Sequence, residues 1–478
     1  MRINEGGQDG ILCRFILTLL LSVASLAVNP AAEGEKLDRI QRPSFAHDVA
    51  TAIVAGVFTC PERIWPGTPW HRFQFLAVDH IGREAWLVRG NDLAIRFAKF
   101  AEITPVSYES LPVPFSQAGS VFAAGNLEGQ QTFSVSRRRG ADTVGGAVRL
   151  AVHEVFHYTG QSRFVLPRAS AGRGLILPED AELRYLRRML LISLKDALVQ
   201  GRSLSTAAHW FQKIKQRSAT AQRFSNVDRT EGAAEYAAAM AAVIARAGCF
   251  ASGQSLAAHA SLVVSEFWDT QYQPLFESWD DIDSYALGAI AGVLLQLQGI
   301  EGWQARVEQG ESMLEILLEK VAPHAASDDE GLRVRINTHY RAREQQLDLQ
   351  LDAFFAAMRS NDNTIVAVSI AARSGGFSPT GGFVSAVRDG REARFWLATH
   401  ARFLLLASKG ALTLRGQDLL LTDDAACGAG DYLLFPIPQR AISGTTNARL
   451  SFSTDLVNAE GVGVDRREIG GARWLCLH

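Results

Sequence analysis

Long apolar runs are scarce in this 478-residue chain. FILTLLLSVASLAV (15–28) is 14 residues long, and no later run reaches the roughly 18 uninterrupted apolar residues a membrane helix needs. A membrane-embedded body is therefore not expected. Lysine is scarce as well, seven of 48 basic residues, and the formal net charge is −2, so no field strong enough to recruit nucleic acid is expected. The run Arg137-Arg138-Arg139 reads as a solvated turn rather than a phosphate site. Cysteine is limited to five residues with no CxxC spacing, which argues against a cysteine-rich zinc site.

The 14-residue run has the length of a signal-peptide core, with Ser25-Leu26-Ala27 as a small-residue cleavage site. Residues 1–32 thus read as a leader, although Glu5 and Asp9 leave its start barely positive and an uncleaved anchor is the alternative. The expectation is an exported protein, periplasmic or extracellular, with no stable membrane span once the leader is removed. Cys60, Cys249, Cys427 and Cys476 then remain, an even number that allows three pairings. Cys427 with Cys476 is favoured because both lie in one late, strand-rich segment. Cys60 with Cys249 would follow, and four free buried thiols are the alternative.

Hydropathy period divides the rest into three parts, an α+β organisation. From 44 to 142 the runs RFQFLAVDH, EAWLVRG and QTFSVSR alternate as strands do, which predicts a β-rich N-terminal part. From 143 to 360 apolar residues recur every three or four positions, as in ELRYLRRMLLISLKDALVQG, which predicts a mainly helical body. From 364 to 478 short strand-like runs separated by Gly- and Asp-rich turns predict an all-β module, a sandwich or a barrel. Trp396 and Phe403 read as core residues of that module.

The chemistry concentrates at LAVHEVFHYTGQ (150–161). On a helix starting near Thr143 and ending at Gly160, His153 and His157 are four apart and share one face, where both rings can meet one ion. Glu154 lies about 100° round, within reach of a water on that ion. Two surface or core histidines on an amphipathic helix are the alternative. Catalytic zinc usually takes three protein ligands and leaves one position for water. The run YTGQSRFVLP after His157 carries no histidine where the metzincin pattern needs one. The best remaining source is DRTEGAAEYAA (228–238), with Glu231 as ligand, Glu235 as second choice, and an Asp228-x-x-Glu231 capping box as the non-metal reading.

The pair HEVFH and TEGAAEY resembles the gluzincin class of zinc metallopeptidases, distantly its aminopeptidase N-like members, whose second helix begins Asn-Glu-Gly-Phe-Ala-x-Tyr. By that resemblance Glu231 matches the zinc-binding Glu, Gly232 the Gly, Ala234 the Ala and Tyr236 the aromatic. The resemblance covers two short stretches, and 73 residues separate His157 from Glu231, far more than those enzymes place there. The extra length leaves room for helices near 178–200 and 203–222. GNLEG (125–129) resembles the edge strand that holds a substrate's amino terminus in those enzymes. It makes Glu128 a candidate substrate-binding residue, against a plain β-turn.

The resemblance implies a peptidase that cleaves peptide or protein substrates with a Zn2+-activated water, and the leader and cysteines make it a secreted one. Glu154 would be its general base, His153, His157 and Glu231 its metal ligands, and Glu235 a carboxylate orienting a ligating histidine. Tyr285 is the first choice to stabilise the oxyanion, with Tyr158, His209 and Tyr236 as alternatives. Competing expectations are a binding or scaffold protein with structural or lost zinc, and a zinc hydrolase of non-peptide amides or esters.

Overall fold

The Oγ of Ser44 accepts from the His47 amide at 3.1 Å and caps helix α1 (Phe45–Ile53). The computed structural model describes residues 44–90, 101–112, 115–116, 122–137, 143–165, 175–177, 180–249, 253–267, 282–371, 373–374, 377–388, 391–405, 410–425, 427–446 and 449–477. The leader and Arg138-Arg139 lie outside these residues. The chain from 44 does not open with strands. Ala46, Val49, Ala50 and Ile53 recur at helical spacing and are buried, so the segment is a helix. A π-turn (Val54–Phe58) and the short helix α2 (Pro61–Ile64) follow.

Strands β1 (Gln74–Asp79), β2 (Glu84–Gly90), β3 (Ala101–Val106), β4 (Phe122–Leu127) and β5 (Gln130–Arg137) form a five-stranded sheet in the order β3-β2-β1-β5-β4. β1 and β5 are parallel, and the other pairs are antiparallel. Central β1 is buried at every position: Phe75 and Ala77 face the large helical core, Leu76 and Val78 a smaller one. Arg137, at the end of β5, pairs with Asp79 at 3.3 Å and lies over the Phe45 ring.

The helical layer begins with α3 (Val144–Tyr158), capped by Thr143, whose Oγ accepts from the Gly146 amide at 3.1 Å. Its Val148, Ala151, Val152, Val155 and Phe156 enter the core, where Trp65 meets Phe156 with ring centres 5.0 Å apart. Strand β6 (Leu175–Leu177) and helices α4 (Ala181–Gln200), α5 (Ser205–Lys215), α6 (Ser218–Ala247), α7 (Gly253–Phe267), α8 (Ile282–Leu297), α9 (Trp303–Glu308) and α10 (Met313–Leu318) follow. α6 is buried on all sides between Ala233 and Ala241, which its small residues allow. Among the described residues no helix is long and apolar enough to cross a membrane.

Helix α11 (Glu330–Arg359) belongs to two cores. Leu332, Ile336 and Tyr340 pack with the helical body, whereas Leu347, Leu351 and Phe354 pack with the C-terminal strands. Those strands are β7 (Asn363–Ser369), β8 (Arg373–Ser374), β9 (Phe377–Arg388), β10 (Arg391–Leu405), β11 (Gly410–Ala425), β12 (Gly428–Pro438), β13 (Ile442–Thr446), β14 (Arg449–Ser453), β15 (Val457–Ile469) and β16 (Ala472–Leu477). The pairings β15–β16, β16–β7, β7–β12, β12–β11 and β11–β15 return to their start, so these strands close a barrel. Phe403 is fully buried there and Trp396 packs against the same core. β6, from the stretch between His157 and Glu231, pairs in parallel with β9 at the sheet's far end.

Two disulfides join Cys60 to Cys249 and Cys427 to Cys476, the favoured pairing, with Cα atoms 5.7 and 5.5 Å apart. The fold is thus α+β, with β-sheets at both ends of the chain and helices between.

Candidate metal centre

Arg149, His153, His157 and Gln161 recur every four residues along α3 and the turn after it, and all four reach α6. His153 and Glu231 are almost fully buried, and His157 is half-buried. The two Nε2 atoms stand 3.0 Å apart, and each lies 3.4 Å from Glu231 Oε2. Ligand atoms of His153, His157 and Glu231 fall within 4.8 Å of one another, so this group could hold a metal ion.

The capping reading of Glu231 is overturned. α6 begins at Ser218, so Asp228 and Glu231 lie inside the helix, where backbone amides are already engaged. Asp228 instead receives both terminal nitrogens of buried Arg187, at 2.7 and 2.9 Å, and Arg187 also donates to Ser284 of α8 at 2.9 Å. Glu231 is left facing the histidines.

Glu235, one turn further, serves the far side of His153. Its Oε2 meets His153 Nδ1 at 3.2 Å and its Oε1 accepts from Arg149 Nε. Full burial would push this carboxyl up, but the positive charge of Arg149 and the bond to His153 prevail and hold it down at about 2. Glu235 therefore stands behind His153 as an anion and is not among the three clustered groups.

His157 has its own support. Gln161 Oε1 lies 2.9 Å from His157 Nδ1, and Gln161 Nε2 donates to the Thr230 carbonyl, the residue before Glu231. Sequence reasoning missed Arg149 and Gln161. Their signal was the same four-residue spacing continued one step to either side of the histidines.

Tyr285 of α8 lies face-on to His153, ring centres 5.3 Å apart and planes 9° apart. It reaches that place because α6 and α8 touch at Gly232 and Gly288, which have no side chains to separate them. Glu154 follows His153 and is half-buried. Tyr236 is fully buried among Trp65 and Trp303, and burial drives its phenol well above the usual range, so it cannot face substrate. Tyr158 is 57% exposed and packs on Phe133 and Phe122 of the neighbouring strands. His209 sits on α5 beside Trp210 and Lys213, and burial lowers its pKa. Glu128 occupies a two-residue hairpin turn with Gly129, φ +52° and +82°, and its exposed carboxylate pairs with Arg89.

Compared with models of known protein families, with curated proteins and with solved structures, the chain matches none.

Proposed function

We propose that this chain is a gluzincin-type zinc hydrolase that cleaves peptide bonds. One observation carries the reading: the hydrogen bonds behind the two rings leave three acceptor atoms aimed at each other. Glu235 accepts at His153 Nδ1 and Gln161 Oε1 accepts at His157 Nδ1, so in the neutral rings both Nδ1 atoms carry the proton. Both Nε2 lone pairs then point at the space that Glu231 Oε2 also faces. Three lone pairs this close repel unless positive charge lies among them. Two imidazoles and one carboxylate are the donor set of catalytic zinc.

A zinc ion bound there would supply a water with its pKa lowered to about 7 and polarise the scissile carbonyl. The chain's residues do the rest. Glu154 takes the proton of the attacking water and returns it to the leaving amine, a contribution of roughly 10²- to 10⁴-fold. Glu235 and Gln161 hold the two imidazoles in register and keep their Nδ1 protons in place. Tyr285, next to His153, is the candidate donor to the developing oxyanion. The two disulfides support an exported protein, since such bonds persist in oxidising compartments.

The test is metal content and hydrolysis together. Purified protein is expected to contain one zinc per chain and to cleave a mixed peptide library in a chelator-sensitive way. Glu154→Gln is expected to keep the metal and lose cleavage. Stoichiometric metal without hydrolysis of any peptide would instead indicate a structural site. Hydrolysis of ester or simple amide substrates alone would move the assignment to a non-peptide hydrolase.

A further inference from the structure

Gln161 lies outside the two stretches that carry the resemblance, yet it joins both metal-ligand helices. Its amide has two fixed partners: the Thr230 carbonyl, which can only accept, and the Nδ1 of His157. A carbonyl must be faced by the amide nitrogen, so the amide oxygen must face the ring. His157 Nδ1 is then obliged to be the protonated nitrogen, and Nε2 is left with the lone pair directed at Glu231 Oε2, 3.4 Å away. The same amide ties the end of α3 to the α6 backbone one residue before Glu231, so the positions of two ligands depend on one side chain.

We infer that Gln161 is a positioning residue of the metal centre, which selects the Nδ1–H tautomer of His157 and locks that ring to the segment carrying Glu231. The inference rests on the metal reading for its consequence, a higher affinity, but the tautomer belongs to the chain alone. In water a free imidazole favours the Nε2–H form, which is unable to bind a cation through Nε2. Without Gln161, His157 must change tautomer before it can serve as a ligand, and its ring has lost its tether. Gln161→Met keeps the length and removes both hydrogen bonds. Gln161→Glu keeps an acceptor at Nδ1, replaces the donor to Thr230 with an oxygen and adds a negative charge.

Two measurements test this on the full chain. In metal-free protein labelled with 15N-histidine, long-range nitrogen–proton NMR above pH 8 is expected to report Nδ1–H for His157. Nδ1–H should be kept in Gln161→Glu and lost towards Nε2–H in Gln161→Met. Competition with a chromophoric chelator is expected to give a zinc Kd about 10- to 100-fold weaker for Gln161→Met. An Nε2–H tautomer in wild type, or an unchanged tautomer and Kd in Gln161→Met, overturns the inference while leaving the metal site standing. Wild-type protein that binds no zinc overturns the metal reading instead, and the NMR result still decides the role of Gln161. A Gln161→Met variant with lowered Tm and unaltered tautomer would assign the residue to stability alone and also overturn the inference.

Discussion

A Cβ placed on Gly232 would lie 2.6 Å from the Cα of Gly288, and one on Gly288 would lie 2.2 Å from the Cα of Gly232. α6 and α8 therefore meet backbone to backbone, one residue from Glu231 and three from Tyr285. The closeness of this contact sets both side chains against His153.

Gly288→Ala is expected to force the helices apart, since the new methyl would meet the Gly232 Cα and the Asp228 carbonyl, backbone atoms that cannot rotate away. Overpacking of this kind costs about 1–3 kcal/mol. Urea denaturation of the metal-free protein should show that loss. Zinc affinity should fall as well, because Glu231 moves with α6. Unchanged stability would mean that the helices are not in contact at these residues.

Metal removal has a defined thermal signature. Saturation at 100 times Kd adds about 2.7 kcal/mol to a folded protein that binds one ion. Adding zinc to chelator-treated wild type is expected to raise Tm accordingly. Glu231→Ala is expected to abolish that rise, and Glu235→Gln to reduce it without abolishing it. Equal rises in wild type and Glu231→Ala would remove Glu231 from the ligand set.

Two buried groups give pH limbs of opposite sign. The Glu235 carboxyl is held at about 2 in the folded chain, below its ordinary 4.5. Its stabilisation is therefore present above about pH 4.5 and is lost as pH falls towards 2. The difference in stability between wild type and Glu235→Gln should shrink across that window. Tyr236 is shifted the other way, raised by burial, and its hydroxyl has no hydrogen-bond partner among the described residues. Its stabilisation is full below about pH 10 and is lost as pH climbs beyond it. Tyr236→Phe is expected to cost nothing at pH 7 and to flatten the alkaline limb in thermal melts.

The disulfides enclose loops of very different length, with sequence separations of 189 and 49 residues. Loop-closure entropy predicts stabilisations of about 5 and about 4 kcal/mol as upper figures. Cys60→Ser with Cys249→Ser is thus expected to lower the denaturation midpoint at least as much as Cys427→Ser with Cys476→Ser. Peptide mapping without reduction checks the pairing directly.

Much of the centre was legible before any coordinates. The four-residue spacing of His153 and His157, the Thr143 cap and the apolar set from Val148 to Phe156 together specify one helix with a polar face. Glu231 was legible as a ligand candidate, but not as a mid-helix residue, because SATAQRFSN before it has no strong periodicity to announce that α6 starts at Ser218. The opening helix α1 was missed because its nine residues adjoin strand-like runs, although positions 46, 49, 50 and 53 carried the helical period. The turn at Glu128 and Gly129 was legible only as one reading of GNLEG, because a short string does not reveal φ.

The sequence by itself determined the local matter: the helical or strand period of most segments, which faces are apolar, and which residues carry chemistry at i, i+4 spacing. Those features arise from interactions within a few residues, which a linear pattern records. Only the tertiary structure decided that Glu231 rather than Glu235 faces the histidines, and that Gln161 and Arg149 stand behind them. It also decided that the late strands close into a barrel with β6 paired to their outlying strand β9. Those outcomes depend on helices and strands far apart in the chain meeting at one distance and one rotation. Helix-to-helix contacts such as Gly232 against Gly288 set that geometry, and no single stretch of sequence encodes it.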